Sequence, residues 1–511
     1  MLAKTIMVQG TCSHAGKSVL VAALCRIFHQ DGFRVAPFKA QNMALNSYVT
    51  AEGGEMGRAQ VVQAEAAGLP PSVDMNPILL KPTGNSSSQV VVMGRPLDNF
   101  TAQDYHGDLA HKLWPVVTGA LARLRRRYDI VVIEGAGSPA EVNLQDTEIV
   151  NMKVAREANA PVLLVADIDR GGALAAVVGT LELLAPGDRA RVKGIVINKF
   201  RGDVALFRPA VEFLEAKTGV PVCGIIPYFE NLYIQDEDSV VMEQKKHITV
   251  HDDKAVDIIV LQLPRLSNFT DFDPLEREPG VRLRYAARTS ELGEPDLIII
   301  PGSKNTIEDL IFLKQSGLAA AVTRLFKAGV PVVGICGGFQ MLGRELYDPE
   351  GVESSVERIA GLGLLNMKTV FARDKITSQV KAAVTGRGSM LGGFRGDIDG
   401  YEIHMGRTKL GAGTKNAFIV KTRWGRNVNV PDGGENEDGN VWGTYIHGIF
   451  DNDRFRRHLV RILQKKKGST GLDYEITRTD TAQTREREYD RLAGLVRRHV
   501  DIKLVYKLMG L

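Results

Sequence analysis

A chain of 511 residues is too long for one hydrophobic core and should divide into about two to four domains. Its 44% hydrophobic and 24% charged residues describe a folded globular protein, and 64 basic against 60 acidic residues leave a net charge of only +4, which gives no reason to expect a nucleic-acid partner. No apolar run reaches the ~18 residues of a membrane span, the opening MLAKTIMVQGTCSHAGKS lacks a cleavable apolar leader, and Cys12, Cys25, Cys223 and Cys336 match neither a zinc spacing nor a disulfide framework; a reducing cytoplasm is the expected compartment, with no membrane partner.

The first strand signal, TIMVQG, runs into GTCSHAGKS and then into the helical pattern VLVAALCRIF. This strand, loop and helix order is that of a phosphate loop, although five residues rather than four separate Gly10 from Gly16. Small residues (Gly10, Thr11, Ser13, Gly16) let backbone N–H groups curl around phosphate oxygens at a helix N-terminus. Lys17 is positioned to neutralise the outer phosphates of ATP, and the Ser18 hydroxyl to bind Mg²⁺. The next strand, FRVAPFKA, ends in Lys39, which points to a transferring phosphoryl group. It leads into QNMALNSYVT, where Gln41, Asn42, Asn46 and Ser47 offer amides and hydroxyls to a polar substrate, or form a plain loop.

Four more apolar strands follow: DIVVIEGAG, APVLLVADID, VKGIVINKF and VPVCGIIP. Strands without polar alternation, separated by helices, predict a parallel sheet covered on both faces. Such a sheet presents ligands at its strands' carboxyl ends. Glu134 is there the second expected Mg²⁺ ligand, since Mg²⁺ wants hard oxygens. Asp167 and Asp169 either support metal or substrate or cap the following helix. Asn198 is a candidate reader of the nucleotide base.

After an acidic stretch, DEDSVVMEQKKH, a second rhythm begins: VDIIVLQLPRL, DLIIIPGSKNT, VPVVGICGGFQ and VWGTYIHGIF, with helical patterns at IEDLIFLKQ and FQMLGREL. The run GICGG has the G-x-nucleophile-x-G form of a strand-to-helix elbow, which exposes Cys336 while the N–H groups around Gly337 face a developing oxyanion. A buried structural cysteine would not account for those glycines. Gly302 and Ser303 in IIIPGSKNT are the candidate second half of the oxyanion hole. A thiolate needs a base: His447 in GTYIHGIF is preferred because it ends a late strand, and His404 in GYEIHMG is the alternative, placed to line the pocket. The closing RFRRHLVRILQKKK and TREREYDRLAGLVRRHV read as charged amphipathic helices on a domain edge. The expected divisions are residues 1–232, a linker over 233–250, a second α/β domain over 251–455, and an extension over 456–511.

The GICGG elbow with its late histidine resembles the glutaminase domain of class I glutamine amidotransferases. Joined to GTCSHAGKS, and with FKAQNMALNS, VIEGAGSPAEVNL, ADIDRGG, VINKFRGD, IPGSKNT, YEIHMGRT and GTYIHGIF, the chain resembles the cobyrinate-amidating glutamine amidotransferase family from residue 5 to about 455. The N-terminal half is also similar to dethiobiotin synthetase. The resemblance implies an ATP-dependent P-loop synthetase domain followed by a class I amidotransferase α/β domain. It places the nucleophile at Cys336, the catalytic histidine at His447, the nucleotide loop at Gly10 to Ser18 and the acid near the metal at Glu134. It implies glutamine, ATP and adenosylcobyrinic acid a,c-diamide as small-molecule partners, with amidation of the b, d, e and g carboxylates; a homo-oligomer stays open. Most class I enzymes carry a glutamate two residues after the histidine, where this chain has Ile449, so the resemblance leaves either a Cys–His dyad or a glutaminase that is slow until the synthetase site fills. Two other readings are an a,c-diamide synthase, with the same chemistry on other carboxylates, and a partitioning-type nucleotide switch. The switch is disfavoured because no signature lysine precedes Lys17 in the loop.

Overall fold

The computed structural model describes residues 2–83, 87–105, 109–144, 147–229, 232, 234–235, 255–468 and 480–511. The chain forms two compact units, one of residues 1–44, 56–235 and 482–511, the other of residues 45–55 and 236–481.

The first unit is built on β1 (Lys4–Gly10), β2 (Val35–Phe38), β3 (Ile130–Glu134), β4 (Val162–Asp167), β5 (Val192–Phe200) and β6 (Val222–Pro227). They pair in the order β6-β5-β4-β1-β3-β2, all parallel. These are the six apolar runs read from the sequence. β1 buries Ile6, Met7 and Val8 completely, as a strand covered on both faces must. The covering core joins Leu24 and Phe28 of α1 (Lys17–Gln30) and Val62 of α2 (Arg58–Ala66) to Ile6, Val132 and Val165 of the sheet. A smaller sheet of Gln41–Met43, Ile78–Pro82, Ser87–Val92 and Arg95–Thr101 lies in the same unit.

The expected extension over 456–511 is divided between the units. The helix Asp453–Lys466 buries Phe455, Leu459 and Leu463 in the core of the second. Residues 482–511 belong to the first, where Leu492, Val496 and Val505 join the α1 core and Arg26 pairs with Asp490 at 2.8 Å. Apart from 234–235, the expected linker lies outside the described residues.

The second unit contains β7 (Val256–Leu261), β8 (Val281–Ala286), β9 (Leu297–Ile300), β10 (Val332–Ile335), β11 (Met367–Val384), β12 (Asp397–Leu410), β13 (Val441–Thr444) and β14 (Ile446–His447). β8-β7-β9-β10-β13 form a parallel sheet, extended antiparallel by Gly434–Asn436 and Thr414–Lys415. The long antiparallel pair β11 and β12 organises a second sheet that ends on β14. The α-helix α3 (Thr306–Gln315) follows β9, as IEDLIFLKQ predicted. FQMLGREL is helical only through α4 (Gly337–Met341). At Gly343 an added Cβ would lie 3.0 Å from the Met367 carbonyl oxygen, and Glu345–Tyr347 becomes a strand beside β11.

Candidate active sites

In the first unit the loop from Gly10 turns into α1 at Gly16, whose φ of +96° is open to glycine but strained for other residues. The Asn198 side-chain nitrogen would lie 2.0 Å from a Cβ there. Two neighbours at the end of β5 hold consecutive loop carbonyls: Asn198 donates to Ala15 at 2.8 Å and Lys199 to His14 at 2.8 Å. With those carbonyls turned outward, the N–H groups that open α1 are left to face a ligand. Lys17 reaches from the Cys12 carbonyl (2.9 Å) to the Gly137 carbonyl (3.0 Å), spanning the mouth of the loop. The Thr11 N–H is spent on the Val165 carbonyl at 2.9 Å, extending the β1–β4 ladder, while Ser13 is exposed.

Beneath the loop Glu134 is almost wholly buried. It accepts from Ser18 Oγ (2.8 Å), Lys39 Nζ (2.9 Å) and Gln63 Nε2 (2.5 Å). Burial alone would raise its pKa, but the Lys39 ammonium and these hydrogen bonds hold it below the usual carboxylate value. The Ser18 hydroxyl and the Glu134 carboxylate therefore bring together two hard oxygens suited to Mg²⁺. Among the described residues no group of three or more His, Cys, Asp and Glu is disposed to hold a metal. Phosphate oxygens and water would complete the shell, which is the usual arrangement for this ion.

In the second unit β10 ends on Cys336 with φ 51° and ψ −106°, a conformation a side-chain-bearing residue adopts only under strain. The turn is fixed on both flanks. The Cys336 N–H donates to Thr444 at 2.8 Å, and a Cβ on Gly338 would sit 1.9 Å from the Ile300 carbonyl oxygen. The thiol lies 3.4 Å from the Ile403 carbonyl. The loop after β9 presses Ser303 N to within 2.9 Å of where a Gly337 Cβ would stand, and Gly302 abuts His447. The Ser303 hydroxyl donates to Asp309 at 2.6 Å, so from Ser303 it is the main-chain N–H that is offered to the elbow.

His447 is buried and bonded on both sides. Its Nδ1 lies 2.6 Å from Asp271 Oδ2, and the other Asp271 oxygen accepts the Gly448 N–H at 3.0 Å. Burial alone would lower the imidazole pKa. The Asp271 carboxylate and Cys336, by charge and by hydrogen bond, override it and push the value up to about 10. Asp271, His447 and Cys336 thus stand in sequence as carboxylate, imidazole and thiol, an arrangement able to activate a nucleophile.

Residues 257–455 match the family described as CobB/CobQ-like glutamine amidotransferase domain, and residues 6–240 match the CobQ/CobB/MinD/ParA nucleotide binding domain. A cobyric acid synthase from Pelotomaculum thermopropionicum is 56% identical over 513 residues, covering 100% of this chain and 97% of that one. Another from Moorella thermoacetica is 56% identical over 513 residues, with 100% and 98% covered. The chain belongs to the cobyric acid synthase family. It is an enzyme of the glutamine-hydrolysing amidoligase class, with a nucleotide-binding unit and a glutamine amidotransferase unit. Among solved structures, PurLQS from Thermotoga maritima aligns with a TM-score of 0.33 at 20% identity, over 41% of this chain and 99% of that one.

Several expected positions fall elsewhere than the sequence suggested. Asn198 spends one amide N–H on holding the phosphate loop, a role the sequence did not suggest. Asp167 accepts from the Asp169 N–H (2.9 Å) and Lys199 (2.7 Å), and Asp169 pairs with Arg201. Neither aspartate caps the following helix Ala173–Leu183, whose N-cap is Gly172. Asn42 donates to Gln60 at 2.9 Å and Gln41 accepts from the Tyr105 hydroxyl, whereas Asn46 and Ser47 belong to the other unit. QNMALNS is therefore not one ligand-facing loop. His404 stacks on Tyr445 with centroids 3.8 Å apart and its Nδ1 donates to the Gly406 carbonyl, whereas His447 is the histidine bonded to Asp271. The acid that the residue after next to His447 does not supply comes from Asp271, 176 residues earlier in the chain. Ile449 is simply core. The signal missed was a buried acid between aromatics, NFTDF, directly behind the first strand of that unit.

Proposed function

We propose that the enzyme amidates the b, d, e and g carboxylates of adenosylcobyrinic acid a,c-diamide, using ATP and glutamine, and releases adenosylcobyric acid. The observation that carries the glutamine half is the Asp271–His447–Cys336 chain at a strained elbow. Cys336, as thiolate, attacks the glutamine carboxamide carbon. The oxyanion that forms is met by main-chain N–H groups at Gly337 and Ser303. His447 gives its proton to the departing nitrogen, so ammonia leaves and a glutamyl thioester remains. His447 then takes a proton from water, whose oxygen attacks the thioester; the C–S bond breaks, glutamate leaves, and the thiolate and protonated His447 are restored. Throughout, Asp271 holds the ring in one tautomer and stabilises its cation.

In the other unit a carboxylate of the corrinoid takes the γ-phosphoryl of ATP, giving an acyl phosphate and ADP. Lys17 and Lys39 offset the negative charge that spreads over the transferring group. Mg²⁺, held by Ser18 and Glu134, would supply a further positive charge on the phosphates. Ammonia attacks the acyl carbon, phosphate leaves, and the amide loses a proton. The full-length similarity to cobyric acid synthases supports this acceptor over the a,c-diamide synthase reading. A cytoplasmic location suits the free thiols of Cys12, Cys25, Cys223 and Cys336. Glutamine carrying heavy nitrogen in its side chain, incubated with ATP and the a,c-diamide, should deliver that label to the corrinoid product. An unlabelled product from intact protein would overturn the proposal.

A further inference from the structure

Residues 45–55 follow directly on the run that carries Lys39 and Asn42, yet they are built into the second unit. Their anchoring is polar and buried. Glu55, with no exposure, pairs with Lys375 at 2.5 Å and accepts the Ser47 hydroxyl at 2.8 Å. Gln379 donates to the Tyr48 hydroxyl and the Val49 carbonyl, and Thr377 donates to the Gly53 carbonyl at 2.8 Å. Removing one member of a buried ion pair costs about 3–5 kcal/mol, so a segment held this way is fixed rather than draped.

What the segment touches is the support of the catalytic histidine. The Tyr48 ring meets Tyr401 edge-on at 5.1 Å, and Val49 packs with Tyr401 and Ile403. Tyr401 in turn lies parallel to the His447 imidazole, with centroids 5.3 Å apart and planes within 19°. The polar contacts form a closed circuit. The Ser47 N–H donates to Asn268 Oδ1 (3.2 Å), Asn268 Nδ2 donates to the Tyr401 hydroxyl (3.2 Å), and that hydroxyl returns to the Ser47 carbonyl (3.4 Å). The Asn268 carbonyl accepts the Asp271 N–H at 3.0 Å. One strap therefore braces both members of the His447–Asp271 pair, the ring through Tyr401 and the acid through Asn268.

We infer that residues 45–55 are a positioning strap for the glutaminase, acting on His447 through the positioning residues Tyr401 and Asn268. This rests on the reading of Cys336 as the site of glutamine hydrolysis and adds a component to it from the N-terminal part of the sequence. The physical reason is directional. Proton transfer to the leaving nitrogen needs the imidazole within about 10–20° of its productive angle. A hydrogen bond to Asp271 fixes one ring atom but leaves rotation about that bond, and the Tyr401 face removes it. An aromatic face also favours the cationic ring by about 0.5–2 kcal/mol. The ionisable groups that face the ring are Asp271, Cys336 and Tyr401.

The test uses the full-length enzyme. Tyr401→Ala should lower kcat for glutamine hydrolysis by about tenfold to a hundredfold, leave KM for glutamine close to its original value and move the pH profile of kcat, while ammonia-driven amidation continues. Tyr48→Leu, which keeps apolar volume but loses the ring edge, should act in the same direction with a smaller change. Tyr401→Phe keeps the stack and loses the circuit, and should fall between them. A purely structural role would lower the unfolding temperature and leave kcat and the pH profile of the folded protein untouched; that result would overturn the inference. If Tyr401→Ala also loses ammonia-driven turnover, Tyr401→Phe and Tyr48→Leu decide, and wild-type kcat and pH profile in both would overturn it. An unaltered chain that never hydrolyses glutamine would instead remove the underlying reading of the site.

Discussion

The two strand-to-helix turns of this enzyme place their strain on different atoms. At the residue that opens the helix the phosphate loop places its positive φ on Gly16, which carries no side chain, with a second positive φ at His14 within the loop. Asn198 and Lys199 tie back carbonyls so that backbone donors and Lys17 await an anion brought by the ligand. At the elbow the positive φ falls on Cys336 itself, and the neighbouring Gly338 only makes room. A side chain forced into that region costs about 1–3 kcal/mol. At Cys336 that cost is met by the residue whose side chain is the candidate nucleophile. Electrostatics divides the same way. In the first site Lys39 pairs with the buried Glu134 while Lys17 is held by main-chain carbonyls at the mouth of the loop, where an anion would bind, whereas in the second the Asp271 carboxylate is matched by the His447 cation.

The sharpest way to break this comparison is Cys336→Gly. Glutamine-driven amidation should fall by at least about a thousandfold, because no nucleophile remains, while amidation with free ammonia persists. Glycine accepts the strained conformation, and relief of about 1–3 kcal/mol should offset the freedom glycine adds to the unfolded chain and the lost packing of the buried thiol, so stability in denaturant titration should stay within about 1 kcal/mol of the unaltered enzyme. A loss well beyond that would mean that the elbow stores little strain. The matching change in the first unit is Gly16→Ala. A methyl at φ +96°, 2.0 Å from the Asn198 amide, must open the loop, and amidation should drop on the order of a hundredfold or more with either nitrogen donor. Glutamine hydrolysis measured without ATP should be unchanged; a parallel loss there would erase the distinction between the two turns.

Asp271→Asn tests the balance within the second site. By analogy with acid loss from a Ser-His-Asp triad, glutaminase kcat should fall by about 10²–10⁴-fold. The effect on stability has a definite sign. Folded His447 holds its proton up to about pH 10, against an ordinary value of 6.5, so the stabilisation this proton affords is complete below about pH 6.5. It is lost progressively as pH rises toward 10. Asparagine removes the principal attraction, and the decline in unfolding free energy across that window should flatten. Urea titrations at a series of pH values read this directly, and an unchanged slope would detach Asp271 from the proton on His447.

What the sequence made legible follows from range. The six parallel strands, the phosphate loop and the cysteine elbow are local patterns, each written within about ten residues by apolar runs, glycine spacing and one reactive group. Asp271 joins His447 only by tertiary packing, and no spacing rule connects positions 176 residues apart. Asn198 had the right residue type at the right strand end, but its partner, the Ala15 carbonyl, depends on how the loop curls. Residues 45–55 carry polar groups that read equally well as a loop, because the buried Glu55–Lys375 pair that fixes them joins positions 320 residues apart. The C-terminal helices declared an apolar stripe without declaring which core it would enter.

That last ambiguity gives the mildest test of how the units differ. Leu492 is fully buried among α1 and sheet residues of the first unit, on the helix Thr481–His499. Leu492→Ala removes that apolar volume and should destabilise the first unit by about 2–5 kcal/mol. At 25 °C the catalytic rates should barely move, since the side chain is apolar and packs in the hydrophobic core of the first unit. On heating, ATP-dependent amidation with ammonia should fail at a lower temperature than in the unaltered enzyme, while glutamine hydrolysis survives to its original temperature. If both activities fail together at the lowered temperature, residues 482–511 stabilise the two units as one cooperative body, and their assignment to the synthetase core alone is wrong.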